Sequence, residues 1–240
     1  MKKIYIIGKN PEAVEKLKIK IEELEFIYSE ENPDLVVSYG GDGMFLISER
    51  IFPCIPKLLI RESEVGNCCH NINITDALKK YNEGNYEVNE IKKLKATCQG
   101  QFEIREIVGI NDIVIRNSLP TEAIRFRYKI NQNEWSKTLI GDGMVISTSY
   151  GSTKGAYFYS IEQKSFENGI GVAFNNTTEK QKALYLNEKD LIEIEIIRGI
   201  GVLVSDNNRD FINLEKGDKI KIKLTDEIAR RIVLNNHNKI

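Results

Sequence analysis

The sequence predicts an α/β N-terminal domain with a parallel sheet, followed by an all-β-rich C-terminal domain. Over the first third, short apolar runs alternate with stretches of helical spacing. Those runs are nearly continuous in apolar residues, the pattern of strands covered by helices on both faces. From about Tyr86 onward, strand-like runs follow one another with turn residues between them. A length of 240 residues is enough for two such domains, each with its own core.

The elements follow in order. Residues 3–7 form a first strand, and Pro11 stands where a helix starts. Val14, Leu17, Ile21 and Leu24 then recur at helical spacing. Residues 25–28 read as a short strand and residues 35–39 as a second apolar strand. A glycine loop and a helix come next, then a strand over residues 57–60. Residues 75–82 form a short helix with Thr75 as its N-cap. The β-rich part comprises runs at residues 87–96, 101–107, 112–116, 123–130, 143–148, 191–197, 201–204 and 219–223. One face is polar and the other apolar in Glu193-Ile194-Glu195-Ile196 and in Lys219-Ile220-Lys221-Ile222-Lys223-Leu224. Gly217-Asp218 and Asp206-Asn207-Asn208 supply turns. The boundary falls near Gly84-Asn85, giving domains at 1–85 and 86–225 and a tail at 226–240 expected to pack back on the first domain. The polar end, Asn235-Asn236-His237-Asn238, is expected to fray.

Bulk properties exclude several classes. Thirty-four basic and 35 acidic residues leave a formal charge of −1, which argues against a nucleic-acid binder or an acidic tail. No apolar run approaches a membrane span, and the N-terminus reads as a strand rather than a signal peptide. The four cysteines contain no Cys-x-x-Cys pair, so a reduced, cytoplasmic protein is expected. Cys68-Cys69-His70 fits no common zinc spacing, and the other histidine is His237. The group reads as buried or loop-lining. Tyr157, Phe158 and Tyr159 read as core, and Trp135 as a hairpin-end or interface residue.

Three segments stand apart from this background. Gly40-Gly41-Asp42-Gly43 lies between an apolar strand and a helix. Glycines there let a phosphate approach the main chain, and the aspartate is placed to meet a substrate hydroxyl or a metal beside it. Asn111-Asp112, at the mouth of the strand Ile113-Val114-Ile115-Arg116, offers donors and acceptors suited to ribose hydroxyls or a base edge, and equally reads as turn chemistry. The third segment runs from Ile140 to Tyr157. It holds Gly141-Asp142-Gly143, then a strand, then a turn rich in hydroxyls and glycine. Ser152 or Thr153 is expected to cap a helix through Ala156 and Tyr157, whose first turn would favour an anionic ligand.

Together these segments resemble the NAD kinase family. That family carries a Gly-Gly-Asp-Gly loop, an Asn-Glu or Asn-Asp pair, and a region close to Asp-Gly-x-x-x-Ser-Thr-x-x-Gly-Ser-Thr. Here they stand in order as Gly40–Gly43, Asn111-Asp112, and residues 142–153. The strand-rich stretch from Lys189 to Leu224 also looks like the end of the family's second domain, so the resemblance spans most of the chain. It implies a Rossmann-like first domain and a phosphoryl transfer from ATP, or another NTP or polyphosphate, to the 2′-hydroxyl of the adenosine ribose of NAD, with Mg²⁺ bridging donor oxygens. It makes Asp42 the group that accepts or orients the hydroxyl proton, and keeps Gly40, Gly41 and Gly43 close to phosphates. Asn111 and Asp112 would hold ribose or adenine, and Asp142 the nicotinamide end or its ribose. Ser152, Thr153, Ala156 and Tyr157 would line the same cleft. A homodimer or homotetramer is implied as well, with no nucleic-acid or membrane partner.

The chain departs from the family pattern in three places. Met44 stands where Thr or Ser usually follows the glycine loop. Lys154-Gly155 precedes Ala156-Tyr157. Arg61-Glu62-Ser63-Glu64-Val65-Gly66-Asn67 replaces a loop rich in Asn and Gly. Two other readings share the layout: a lipid kinase of the diacylglycerol or sphingoid type, and a non-catalytic dinucleotide-binding protein.

Overall fold

The computed structural model describes residues 1–62, 68–100, 103–153 and 156–235. Most of the Arg61-to-Asn67 departure, the Lys154-Gly155 pair and His237 lie outside the described residues. The chain divides into two compact units: Met1–Ile91 with Ile228–Ile240, and Lys92–Glu227.

The first unit begins with β1 (Lys3–Gly8), α1 (Pro11–Glu23), β2 (Ile27–Tyr28), β3 (Leu35–Gly40), α2 (Asp42–Ile51), β4 (Lys57–Arg61) and α3 (Ile74–Asn82). The remaining elements are β5 (Tyr86–Gln99), β6 (Ile104–Gly109), β7 (Asp112–Asn117), β8 (Ile124–Ile130), β9 (Leu139–Gly141), β10 (Gly143–Thr148), α4 (Tyr157–Glu162), β11 (Ile170–Asn175), β12 (Leu184–Leu186), β13 (Ile192–Arg198), β14 (Gly201–Ser205), β15 (Ile212–Leu214) and β16 (Lys219–Leu234).

In the first unit, β1 pairs in parallel with β2 and β3, and β3 with β4. The C-terminal part of β16 adds a further parallel strand beside β4, with Arg231 opposite Lys57. Parallel strands covered by helices need apolar residues on both faces, and Leu35, Val36, Val37, Leu58, Leu59 and Ile60 are all buried. Leu17 and Ile21 of α1, Ala77 and Leu78 of α3, and Ile232 and Leu234 of β16 join one core with Leu35, Val37, Leu58 and Ile60. α1 starts at Asn10, whose Oδ1 accepts from Glu12 N at 3.1 Å, with Pro11 in the first turn.

The α3 cap differs from expectation. Asn73 Oδ1 accepts from Asp76 N at 2.9 Å, and Thr75 lies inside the first turn. An asparagine that reaches the third N–H is the better cap, so it sets the start two residues earlier.

The second unit is a sandwich. One sheet has the order β12-β11-β10-β7-β14-β15, all antiparallel. Facing it, β13 pairs antiparallel with β8 and with the N-terminal part of β16, and β8 with β9. Alternation sorts the side chains: Ile113, Ile115, Met144, Ile146 and Val172 point into the core shared with Ile192, Ile194, Ile220 and Ile222. Val114, Val145 and Ala173, on the opposite face of the first sheet, pack with Phe158 of α4. No helix among the described residues is long and apolar enough to cross a membrane.

Candidate active site

The first motif belongs to the first unit. β3 ends at Gly40, whose φ of +151° suits glycine. A Cβ there would stand 2.7 Å from Met44 Cγ, so the loop also needs the missing side chain for space. Gly41 is the N-cap of α2 and offers no side-chain acceptor, and Asp42 is the first helical residue. Such a strand–glycine–helix corner is the usual setting for a phosphate at a helix start. Met44 is 4% exposed and packs as core, which explains an apolar residue at a position inside the loop's first turn. Asp42 Oδ1 accepts a hydrogen bond from Cys68 N at 2.9 Å and another from Cys69 Sγ at 3.4 Å. The sequence reads Cys68 and Cys69 as buried or loop-lining; their approach to Asp42 across 26 and 27 positions has no local signal.

The other two motifs lie in the second unit and largely build one cluster. β7 and β10 are antiparallel, with Asp112 opposite Ser147. Thr148 Oγ1 donates to Ile110 O at 2.7 Å, and Thr148 N to Asn111 O at 2.9 Å. A Cβ on Gly151 would fall 2.0 Å from Asn111 O, so the hydroxyl-rich turn can close on Asn111 only with glycine there. Asp206, read from sequence as a turn residue, clamps this corner. Its carboxylate accepts from Ile110 N at 2.8 Å, Asn111 N at 2.7 Å and Asp112 N at 3.3 Å. The Asn111 side-chain amide makes no hydrogen bond among the described residues and is only partly buried.

Asp112 plays a different part. It is 2% exposed, and its Oδ2 accepts from Tyr157 N at 3.1 Å. Burial, with the Asp206 carboxylate adding to it, pushes its carboxyl up to about 7, against the pull of the Tyr157 and Phe158 N–H groups.

The expected cap by Ser152 or Thr153 is not what forms. α4 begins after Ala156, which makes no side-chain cap bond. Ser152 Oγ donates to Ser149 O at 2.6 Å and accepts from Phe166 N at 3.0 Å, while Thr153 Oγ1 donates to Tyr150 O at 2.9 Å. Both hydroxyls close their own turn, and the Asp112 carboxylate takes over at the helix start. Tyr157 is 53% exposed, unlike the buried Phe158, so only the latter matches a core reading. Trp135 is covered by the cations of Arg127, at 4.8 Å from its ring, and Lys129, at 5.3 Å.

Asp142 stands apart from the rest of the third motif along β10. It sits between β9 and β10, and its Oδ2 accepts from Asn176 Nδ2 at 3.1 Å. Asn111, Asp112, Ser152, Thr153, Ala156 and Tyr157 gather at the other end of β10. At about 3.4 Å per residue of extended strand, the two ends lie on the order of 17 Å apart.

The α/β unit thus carries an Asp-bearing glycine corner, and the β sandwich a hydroxyl-rich turn. No family model matches the chain. It is 26% identical over 213 residues to the NAD kinase of Clostridium perfringens, covering 85% of this chain and 76% of that protein. To the NAD kinase of Neisseria gonorrhoeae it is 27% identical over 199 residues, covering 79% of this chain and 66% of that one. Among solved structures it resembles an NAD kinase from Archaeoglobus fulgidus in complex with ATP, with a TM-score of 0.79, 20% identity, and coverage of 98% of this chain and 94% of that one. It also resembles yeast NADH kinase complexed with NADH, with a TM-score of 0.84, 15% identity, and coverage of 100% and 85%. The chain is thus similar in sequence to NAD kinases over most of its length and shares its fold with solved NAD and NADH kinase structures.

Proposed function

We propose that this protein phosphorylates NAD, moving the terminal phosphoryl group of ATP, or of another NTP or polyphosphate, to the 2′-hydroxyl of the adenosine ribose to give NADP. The observation that carries this is Asp42, set as the first residue of α2 directly after two glycines, with its carboxylate anchored by Cys68. Asp42 takes or orients the hydroxyl proton as the new oxygen–phosphorus bond forms and the donor's bridging bond breaks, releasing ADP when ATP is the donor. Gly40, Gly41 and Gly43 let the donor's phosphates lie against the main chain. Asn111 holds ribose or adenine, with Asp112 bracing Tyr157 and the start of α4 beside it. Thr153, Ala156 and Tyr157 border the same pocket, and Ser152 keeps its turn in shape. Asp142, at the opposite end of β10, takes the nicotinamide end of an extended dinucleotide.

Mg²⁺ fits this arrangement as an ion carried by the donor. No group of three His, Cys, Asp or Glu side chains among the described residues forms a metal cage, and Mg²⁺ is commonly held through substrate phosphates and water. Its chemistry is to neutralise charge on the transferring group. The protein works in the cytoplasm as a homodimer or homotetramer, which size-exclusion chromatography with light scattering tests.

The relatives are NAD kinases, which favours this reading over a lipid kinase or a non-catalytic binder. Purified protein incubated with Mg²⁺ and ATP, GTP or polyphosphate should convert NAD to NADP. Tight NAD binding with no NADP from any donor would leave the non-catalytic reading, and binding to lipid vesicles with phosphorylation of their lipid would leave the lipid kinase. Asp42→Asn keeps the shape and removes the proton acceptor. Its turnover should fall by about two to four orders of magnitude while NAD still binds.

A further inference from the structure

We infer that Cys69 is a positioning residue for the catalytic carboxylate: its thiol hydrogen-bonds Asp42 Oδ1 and, with the Cys68 N–H on the same oxygen, fixes the rotation of that carboxylate. This rests on the reading of Asp42 as the proton acceptor. Two donors from consecutive residues converge on one oxygen, at 2.9 Å from Cys68 N and 3.4 Å from Cys69 Sγ. A carboxylate held this way presents its lone pairs in one direction, and general-base catalysis depends on that direction.

The support behind Cys69 is rigid. His70 N donates to Leu59 O at 2.8 Å and Arg61 N to His70 O at 2.9 Å, so the cysteine pair is tethered to β4 by a parallel bridge. The His70 ring is fixed in turn, its Nε2 lying 3.2 Å from Ile232 O and 3.3 Å from Leu234 N of β16. Cys69 therefore owes its place to the sheet, and Asp42 is held from the sheet side as well as from its own helix.

The state of the thiol suits the task. Burial first, then the nearby Asp42 charge, push Cys69 up to about 12, with only Arg231 pulling the other way. At any working pH the sulfur keeps its proton and donates. A thiolate would repel the carboxylate, and a reactive cysteine needs the opposite environment.

The experiment is kinetic. Cys69→Ala removes the donor and should lower kcat by about threefold to tenfold, the scale of one modest hydrogen bond, with KM for NAD unchanged. Cys69→Ser restores a donor and should recover most of the loss. Should the alanine variant fail to fold, Cys69→Val and Cys69→Thr form a second pair, matched in shape and differing in the hydroxyl. In an Asp42→Asn background, Cys69→Ala should cost nothing further, because the group it positions is gone. The inference is overturned if Cys69→Ala or Cys69→Val turns over like the parent. It is equally overturned if donor and non-donor variants are alike slow, or if the loss persists in the Asp42→Asn background. Near-normal turnover of Asp42→Asn alone would instead remove the underlying assignment of Asp42, so the two failures are separable.

Discussion

Asp112 shows how a carboxylate beside a candidate ligand-binding residue can serve the backbone instead of facing outward. It opens β7 beside Asn111, yet its carboxylate turns inward and accepts the Tyr157 N–H. Burial and the Asp206 charge raise its carboxyl from an ordinary 3.8 to about 7. The native state therefore keeps this proton over the interval from 3.8 to about 7, where the unfolded chain has released it. The stabilisation from Asp112 is whole at the acid end of that interval and is lost as pH rises through about 7. Asp112→Asn is uncharged at every pH and preserves the acceptor for Tyr157. Urea unfolding at pH 5 and pH 8 should show the parent losing more stability between them than the variant does; equal losses would mean that the carboxyl titrates normally.

At the scale of elements, α2 has to hold Asp42 at one end, and it is anchored at the other by a buried ion pair. Glu49 is 3% exposed and Lys57 fully buried; they bond each other, Glu49 Oε1 also accepts from Cys54 N at 2.8 Å, and Lys57 donates to Phe52 O. Removing one partner leaves a buried charge uncompensated, so Glu49→Ala should cost about 3–5 kcal/mol in a denaturant titration, with Glu49→Gln milder. A surface pair such as Lys18–Glu15 should show no comparable effect. Such elements were legible to different depths. α1 follows from Asn10, Pro11 and the spacing of Leu17 and Ile21, and β13 and the first half of β16 follow from alternation. β11 escaped because Gly171 and Ala173 break any clear period, and β9, β12 and β15 because three residues carry too little pattern. The second half of β16 escaped because Thr225, Asp226 and Glu227 interrupt the apolar alternation just before it resumes. In the site, the glycine corner and Asn111 announce themselves locally. Asp206 and Cys69 act across tens of residues, and neither period nor propensity carries such contacts.

For the molecule as a whole, the chain leaves the first unit within β5 and returns to it within β16. The returning segment is structural in a specific way. Ala229, Ile232 and Leu234 are buried, the latter two in the first unit's core, and Arg231 and Ile232 extend its parallel sheet beside β4. The same segment braces the His70 ring, and Asn235 O accepts from Lys80 Nζ while Asn235 N donates to Asn85 O. Burying two large aliphatic side chains is worth about 1.5–3 kcal/mol each, a large share of the stability of a domain this size. A chain ending at Glu227 should therefore loosen the first unit, and with it Asp42, while the sandwich of the second unit retains its strands and its Asn111 corner. The expected outcome is loss of NADP formation with NAD binding retained. Amide exchange should be fast across β1, β3 and β4 and slow across β7 and β10. Protection that stays high in β3 and β4 after the truncation would show that the first unit's sheet is complete without its last strand.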